Sequence, residues 1–274
     1  MIIELPQWLE DLRTAEVVRR VRDDPRSVGE SLLGVSFDVA RIEVAGGGQA
    51  NFDEPWGDFN PDERVLLYAY CLQKGHLEEL TAAFRMLFAN KPVDAPIVLD
   101  LGCGPCTGGL AIASELGDQP RFDYISLDQS IAMRKLGERL AAATNQMDNV
   151  RCQWAGDIAS ICWQPAPGWR PVIVIASYLL ASPTLDATML VEQLDCLLAR
   201  FGRGPVTVLY TNSVQSDANR NFPIFSEALH RIGLMSSVND TGTIKIERSS
   251  GVTDRALRYA LFHRPSRRTL ALGD

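Results

Sequence analysis

From residue 97 onward, short apolar runs alternate with longer stretches in which apolar residues recur every three or four positions. The runs are Ile97–Leu101, Phe122–Leu127, Val150–Trp154, Val172–Ile175 and Pro205–Tyr210. Strands covered on both faces read as nearly continuous apolar runs, so these five predict a parallel sheet. Between them, Thr107–Leu116, Ile131–Ala143, Leu185–Phe201 and Ala218–Ile232 carry helical spacing and predict the covering helices. The end of the chain changes character. Thr243–Arg248 and Ala256–Phe262 alternate around a Ser-Ser-Gly turn, which predicts an antiparallel hairpin. The expected fold class is α/β: a doubly wound, mostly parallel seven-stranded sheet with a C-terminal antiparallel hairpin.

The first 92 residues lack this alternation and predict a mainly helical N-terminal segment. Trp8–Val21 has helical apolar spacing, Pro25 interrupts it, and Ser27–Ala40 predicts a second helix. Gly46–Gly57 reads as an ordered loop rich in aromatic and acidic residues. Asn60, Pro61 and Glu63 form a helix start, with Asn60 as cap, Pro61 in the first turn and Glu63 completing a capping box. Gly75 is expected to break that helix, and Leu77–Leu87 to form another. The domain division expected is therefore 1–92, a cap that recognises substrate, and 93–274, the sheet domain.

Composition narrows the partners. Hydrophobic residues make up 46% and charged residues 22% of the 274-residue chain, as in ordinary globular proteins. No apolar run approaches the roughly 20 residues of a membrane span. The start, Met1–Pro6, has no basic stretch leading into an apolar one, so a cytoplasmic protein is expected. Six scattered cysteines predict free thiols rather than a disulfide framework. The net charge is −7, and residues 1–92 hold 10 Lys and Arg against 16 Asp and Glu. An acidic cap disfavours a phosphate backbone as partner. His263–Arg268 is the one basic cluster and reads as a solvated tail.

The stretch Ile97-Val-Leu-Asp-Leu-Gly-Cys-Gly-Pro-Cys-Thr-Gly-Gly109 carries the chemistry. An apolar strand ends in an acid, turns through glycines and opens into a helix. Gly102 and Gly104 let the backbone turn tightly and approach a ligand. Asp128 closes the second strand, where an acid accepts hydrogen bonds from ribose hydroxyls. Dinucleotide-binding folds share both features, so they indicate a nucleoside without naming it.

Leu99-Asp-Leu-Gly-Cys-Gly104, followed by Asp128, Gly156-Asp-Ile158 and Ala176-Ser-Tyr178 on successive strands, resembles the class I S-adenosylmethionine (SAM)-dependent methyltransferases over about residues 93–264. Cys106 stands where that family has a third glycine. The resemblance implies SAM as cofactor, with Asp100, Gly102, Cys103 and Gly104 at its methionine end. It places Asp128 at the ribose, Gln129 by the ribose or adenine, Asp157 at the adenine amino group with Ile158 on the ring, and Ser177 and Tyr178 beside the transferable methyl. The activity implied is methyl transfer to an O or N atom of an acceptor, a small molecule being the expected class.

Methyl transfer needs placement more than a catalytic triad. No catalytic residue is assigned, and Tyr178 and His76 are the candidates. Phe52, Trp56, Phe59, Tyr68 and Tyr70 are candidates to grip the acceptor, and Arg64 or Lys74 to meet a carboxylate. No metal site is expected, because Cys103 and Cys106 lack a second ligand pair. Cys103-Gly-Pro-Cys106 also spells a thioredoxin-type tetrapeptide, which keeps dithiol chemistry open. The same residues are compatible with a SAM-binding partner or assembly protein without turnover, and with an RNA methyltransferase.

Overall fold

The computed structural model describes residues 2–89, 93–164, 168–248 and 251–266. The strands are β1 (Ile2–Ile3), β2 (Ile97–Leu101), β3 (Asp123–Leu127), β4 (Arg151–Ala155), β5 (Val172–Ser177), β6 (Val206–Asn212), β7 (Met235–Arg248) and β8 (Gly251–Arg264). They form one eight-stranded sheet in the order β1-β7-β8-β6-β5-β2-β3-β4. β2 through β6 are parallel to one another, and β8 runs antiparallel to both β6 and β7. The seven expected strands are present. An eighth is added where Ile2–Ile3 pairs parallel with Lys245–Ile246 at the edge. The hairpin strands are 14 residues each, longer than the alternation marked, and Ser249 and Ser250 of the expected turn lie outside the described residues.

The order reverses direction beside β2, so the carboxyl ends of β2 and β5 border a crevice, where such sheets bind ligands. Side chains alternate across β2. Ile97, Leu99 and Leu101 pack with the helices α7 (Ala187–Arg200) and α8 (Phe222–Arg231). Val98 packs on the other face, with α5 (Thr107–Glu115) and α6 (Ile131–Ala142). Asp100 shares the parity of Val98 and so enters that second layer.

The N-terminal segment completes this layer. It contains α1 (Gln7–Arg13), α2 (Arg19–Arg22), α3 (Pro61–Tyr68) and α4 (Lys74–Phe88). Asn60 and Glu63 form the expected capping box. The helix does not break at Gly75. A π-helical turn, Ala69–Gln73, joins α3 to α4, and Gly75 lies inside α4. Ser27–Ala40 is not a helix, because Gly29, Leu33 and Gly34 take left-handed φ values of 63°, 49° and 94°; helical winding starts only at Phe37 and runs into a π-helical stretch, Val39–Val44. Leu9, Leu12, Leu77, Leu80 and Phe84 share one buried cluster with Val98, Leu110, Tyr124 and Leu136, so residues on both sides of position 92 build a common core.

The loop before α3 is tied down on two sides. Arg64, 4% exposed, donates to the carbonyls of Val44 at 3.0 Å and Asn51 at 2.7 Å. Asp53 caps α6 from a distance of 77 residues in sequence, accepting from Ser130 Oγ and Ile131 N at 2.9 Å and from Ala132 N at 3.0 Å. Partial burial opposes ionisation of Asp53, but these bonds outweigh it and hold its carboxyl below the ordinary range. Asp53→Ala is expected to cost about 1 kcal/mol at pH 7, as loss of a helix cap does. A carboxyl with a lowered folded pKa stabilises above its unfolded value of about 4 and loses that contribution as pH falls through the folded value. Urea unfolding of wild type and variant is therefore expected to show a gap at pH 7 that narrows below pH 4.

Candidate functional site

After β2 the chain turns through Gly102 (φ 66°), Gly104 (φ 53°) and Cys106 (φ 63°) before entering α5. Gly102 N and Cys103 N donate to the Leu127 carbonyl at 2.8 and 3.0 Å, which locks the loop to the end of β3. Gly104 N donates to Asp128 Oδ2 at 2.9 Å, while Ser130 N donates to the other oxygen at 2.9 Å. Cys106, where the family resemblance expects a glycine, takes a left-handed conformation that costs a side-chain-bearing residue about 1–2 kcal/mol. It is fully buried against Gly109 and Tyr124.

Gly108 is required by packing. A Cβ there would strike the Asp100 carboxylate and lie 2.8 Å from Ile175 Cδ1. The first turn of α5 can therefore press on the carboxyl end of β2. Asp100 is 2% exposed and accepts from Tyr124 Oη at 2.7 Å and from the Gly108 N–H. Burial pushes its carboxyl up to about 7, against the pull of those two donors and with the help of Asp128.

A cavity of about 20 Å³ lies over this turn, lined on the sheet side by Asp100, Gly102, Cys103, Thr107, Gly108 and Ser177. Tyr68, His76 and Leu80 close it from the cap. That volume holds about one water. Thr107 Oγ1 is buried there without a hydrogen-bond partner. Tyr68 reaches over Gly104 and meets His76 Nδ1 at 3.3 Å. Its hydroxyl is kept protonated by burial and by the nearby Asp128, Cys103 and Asp100. Gln73, in the π-helical turn, donates to the Pro105 carbonyl at 2.9 Å and so clips the cap to the loop.

His76 stacks on Tyr178 with ring centroids 4.0 Å apart. Burial, with a further push from Arg255, lowers its pKa to about 3, so the imidazole is neutral. Tyr178 takes a left-handed φ of 58° after β5 and donates to Glu79 Oε1 at 3.1 Å. Arg255 of β8 pairs with the same oxygen. Sequence reasoning missed Glu79 and Arg255. The spacing of His76 and Glu79 places both on one helical face, but nothing local ties either residue to β8.

The structure therefore gathers Asp100, Gly102, Cys103, Ser177 and His76 around one cavity, with Gly104 and Asp128 bonded to each other beside it. Gln129 is exposed, and its carbonyl accepts from Arg134. Asp157 is exposed and accepts from Ser160 N at 2.7 Å as a turn residue. Ile158 packs into the core cluster of Ile161 and Trp163. These three do not line the cavity. Lys74 pairs with Glu10 at 2.5 Å, and Arg64 serves the loop, so neither presents a free cation to the cavity. A wider cleft of about 490 Å³ lies between α3 and α6, lined by charges of both signs including Arg20, Asp62, Lys135 and Arg139, and touches none of the residues expected to bind ligand.

Among solved structures, similarity is found to magnesium protoporphyrin IX methyltransferase from Synechocystis PCC 6803 with bound SAM: 14% identity, 93% of this chain, 97% of that chain and a TM-score of 0.46. Geranyl diphosphate C-methyltransferase from Streptomyces coelicolor A3(2) is 14% identical over 76% of this chain and 83% of that one, with a TM-score of 0.41. A SAM-dependent methyltransferase from Methanosarcina mazei is 11% identical over 66% and 98%, at 0.44. SAM-dependent methyltransferases recur among these structural neighbours. No family model and no curated protein sequence matches.

The thiols of the Cys-x-x-Cys stretch are not set up for exchange. Burial raises both thiols well above the ordinary range, helped at Cys103 by Asp128 and Asp100 and at Cys106 by Cys152 and Asp100, and Cys103 Sγ lies 2.7 Å from Ser126 Oγ. Cys162 and Cys196 are exposed. A chromogenic disulfide reagent is expected to modify those two quickly in the native protein, and Cys103 and Cys106 only after unfolding. Rapid modification of all six would contradict the buried loop.

Proposed function

We propose that this chain binds SAM and transfers its methyl group to an O or N atom of a small protic acceptor. The observation that carries the reading is Asp100: a buried carboxylate beside the unpartnered Thr107 hydroxyl, at the carboxyl ends of β2 and β5, under a turn whose backbone is bonded to Asp128. The donor set fits the ligand. Asp100 would hold the ammonium, Thr107 and the loop the carboxylate, and Asp128 the ribose. The volume of about 20 Å³ does not admit it while Tyr68 lies over Gly104, so binding requires the cap to lift.

When bound, SAM supplies an electrophilic methyl; the acceptor's lone pair forms the new bond and the carbon–sulfur pair returns to sulfur. The protein's part is placement and exclusion of water. Tyr68, His76 and Leu80 cover the cavity, and the neutral His76 offers a hydrogen-bonding nitrogen without a competing positive charge. The acidic cap favours a small neutral or cationic acceptor over a polyanion. A second reading, a SAM-binding partner protein without turnover, is favoured by one observation: the cap is already closed on the glycine turn.

Calorimetry with SAM, S-adenosylhomocysteine and NAD is the test. Micromolar binding of the first two and none of NAD is expected, with Asp100→Asn losing it. Because the ammonium favours ionised Asp100, affinity is expected to fall as pH drops through about 7, by up to about tenfold per unit. Binding that is absent in a folded protein would overturn the reading. Formation of S-adenosylhomocysteine with a cell extract separates turnover from binding alone.

A further inference from the structure

Glu79 is the most completely buried ionisable side chain that the site described above leaves without a task, at 0% exposure. Three elements converge on it. Its own helix α4 also carries His76 and Glu78; the turn after β5 brings the Tyr178 hydroxyl to Oε1 at 3.1 Å; and β8 brings the Arg255 guanidinium to the same oxygen. Oε2 has no hydrogen-bond partner. Gly75 makes this convergence possible. A Cβ there would collide with the Arg255 guanidinium, lying 2.9 Å from its central carbon. A glycine inside a helix costs about 1 kcal/mol relative to alanine, so its presence in α4 is matched by what it admits.

We propose that Glu79 is a positioning residue for the acceptor side of the site, with Tyr178 as the group that meets the acceptor and Arg255 as the counter-ion that holds Glu79 ionised. The inference rests on the methyl-transfer reading. Tyr178 gives its hydrogen to Glu79 and takes a hydrogen bond from the Arg255 guanidinium, so its oxygen keeps one lone pair to accept from the O–H or N–H of a protic nucleophile. When the acceptor's lone pair takes the methyl, its proton passes to the Tyr178 oxygen while the Tyr178 hydrogen passes to Glu79 Oε1. Tyrosine ends neutral, Glu79 ends protonated, and no tyrosinate forms. The class of substrate that fits is a hydroxyl or amine compound, not a carbon acid lacking a polar hydrogen.

The balance of charge around Glu79 supports this. Burial pushes its carboxyl up to about 7, Arg255 and the Tyr178 hydroxyl pull it down, and Glu78 opposes them. A proton receiver works best with a pKa near the working pH. His76 is flanked by Tyr68, Tyr178 and Arg255 and does not titrate in this range, so its ring, stacked on Tyr178, can report on Glu79 without changing charge itself.

The chain has three histidines, which makes a histidine-labelled NMR titration tractable. It is run on the full chain in an Asp100→Asn background, which removes the other buried carboxyl that burial pushes up to about 7, and His76 is assigned by His76→Gln. The His76 ring resonance is expected to shift with a midpoint near pH 7. Glu79→Gln is expected to abolish that step. Gly75→Ala, whose new Cβ meets the Arg255 guanidinium before any other group, is expected to raise the midpoint measurably, since it displaces the charge that favours ionisation. If Glu79→Gln fails to fold, Gly75→Ala alone decides the matter. A step that persists in Glu79→Gln, an unmoved midpoint in Gly75→Ala, or no step at all overturns the proposal. None of these readouts uses SAM, so a failure of SAM binding is recognised separately by calorimetry on the wild type.

Discussion

The close approach of the first turn of α5 to the end of β2 is the constraint on which the rest of the structure depends. It exists because Gly108 and Gly109 have no Cβ where Asp100, Ile175, Tyr124 and Cys106 need the space. Once α5 sits there, the chain between Leu101 and Thr107 must reverse within a few residues, which puts Gly102, Gly104 and Cys106 in left-handed conformations. The same approach buries Asp100 with two donors, Tyr124 and the Gly108 N–H, and leaves a carboxylate that gains from a cation. Site chemistry and local packing are thus one arrangement, not a site laid on a finished scaffold.

The N-terminal segment covers that arrangement. Its contacts with the sheet domain are of two kinds. An apolar layer, Leu77, Leu80 and Phe84 against Leu110 and Tyr124, holds α4 in the common core. Polar clips, Asp53 on α6 and Gln73 on the Pro105 carbonyl, act near the turn and are individually worth about 1 kcal/mol. Tyr68 and Leu80 belong to the apolar layer and to the cavity wall at once, so the cover and the core are built from the same residues. The π-helical turn Ala69–Gln73 is where the cap helix departs from regular winding, and Tyr68 and His76 flank it on the cavity wall. Such irregular turns recur at functional sites because they re-aim side chains without ending a helix.

Much of the fold was legible in local pattern. The apolar runs predicted β2 through β6 within a residue or two, since strands covered on both faces need continuous apolar sequence. Asn60, Pro61 and Glu63 marked the start of α3 because capping is satisfied within four residues. The glycine turn and Asp128 were legible for the same reason. Gly75 was misread: glycine weakens a helix, but here packing against Arg255 outweighs the propensity. Ser27–Ala40 was misread because Leu33, with no mark of a turn residue, takes a left-handed conformation between Gly29 and Gly34. Asp157 and Ile158 were expected at the adenine from the family resemblance; in the structure one accepts a hydrogen bond within a turn and the other packs in the core, and neither lines the cavity.

By itself, then, the sequence determined the alternation of strands and helices, the glycine turn with its acids, and the acidic character of the segment that precedes it. All of these depend on residues within a few positions of one another, or on composition. Tertiary structure alone decided that Tyr68 and His76 cover the turn, that Asp53 caps a helix 78 residues away, and that Arg255 of the last strand reaches Glu79 across Gly75. Those pairings depend on how the layers pack, and no local pattern of hydrophobic and polar residues encodes which distant side chains will share a low-dielectric space.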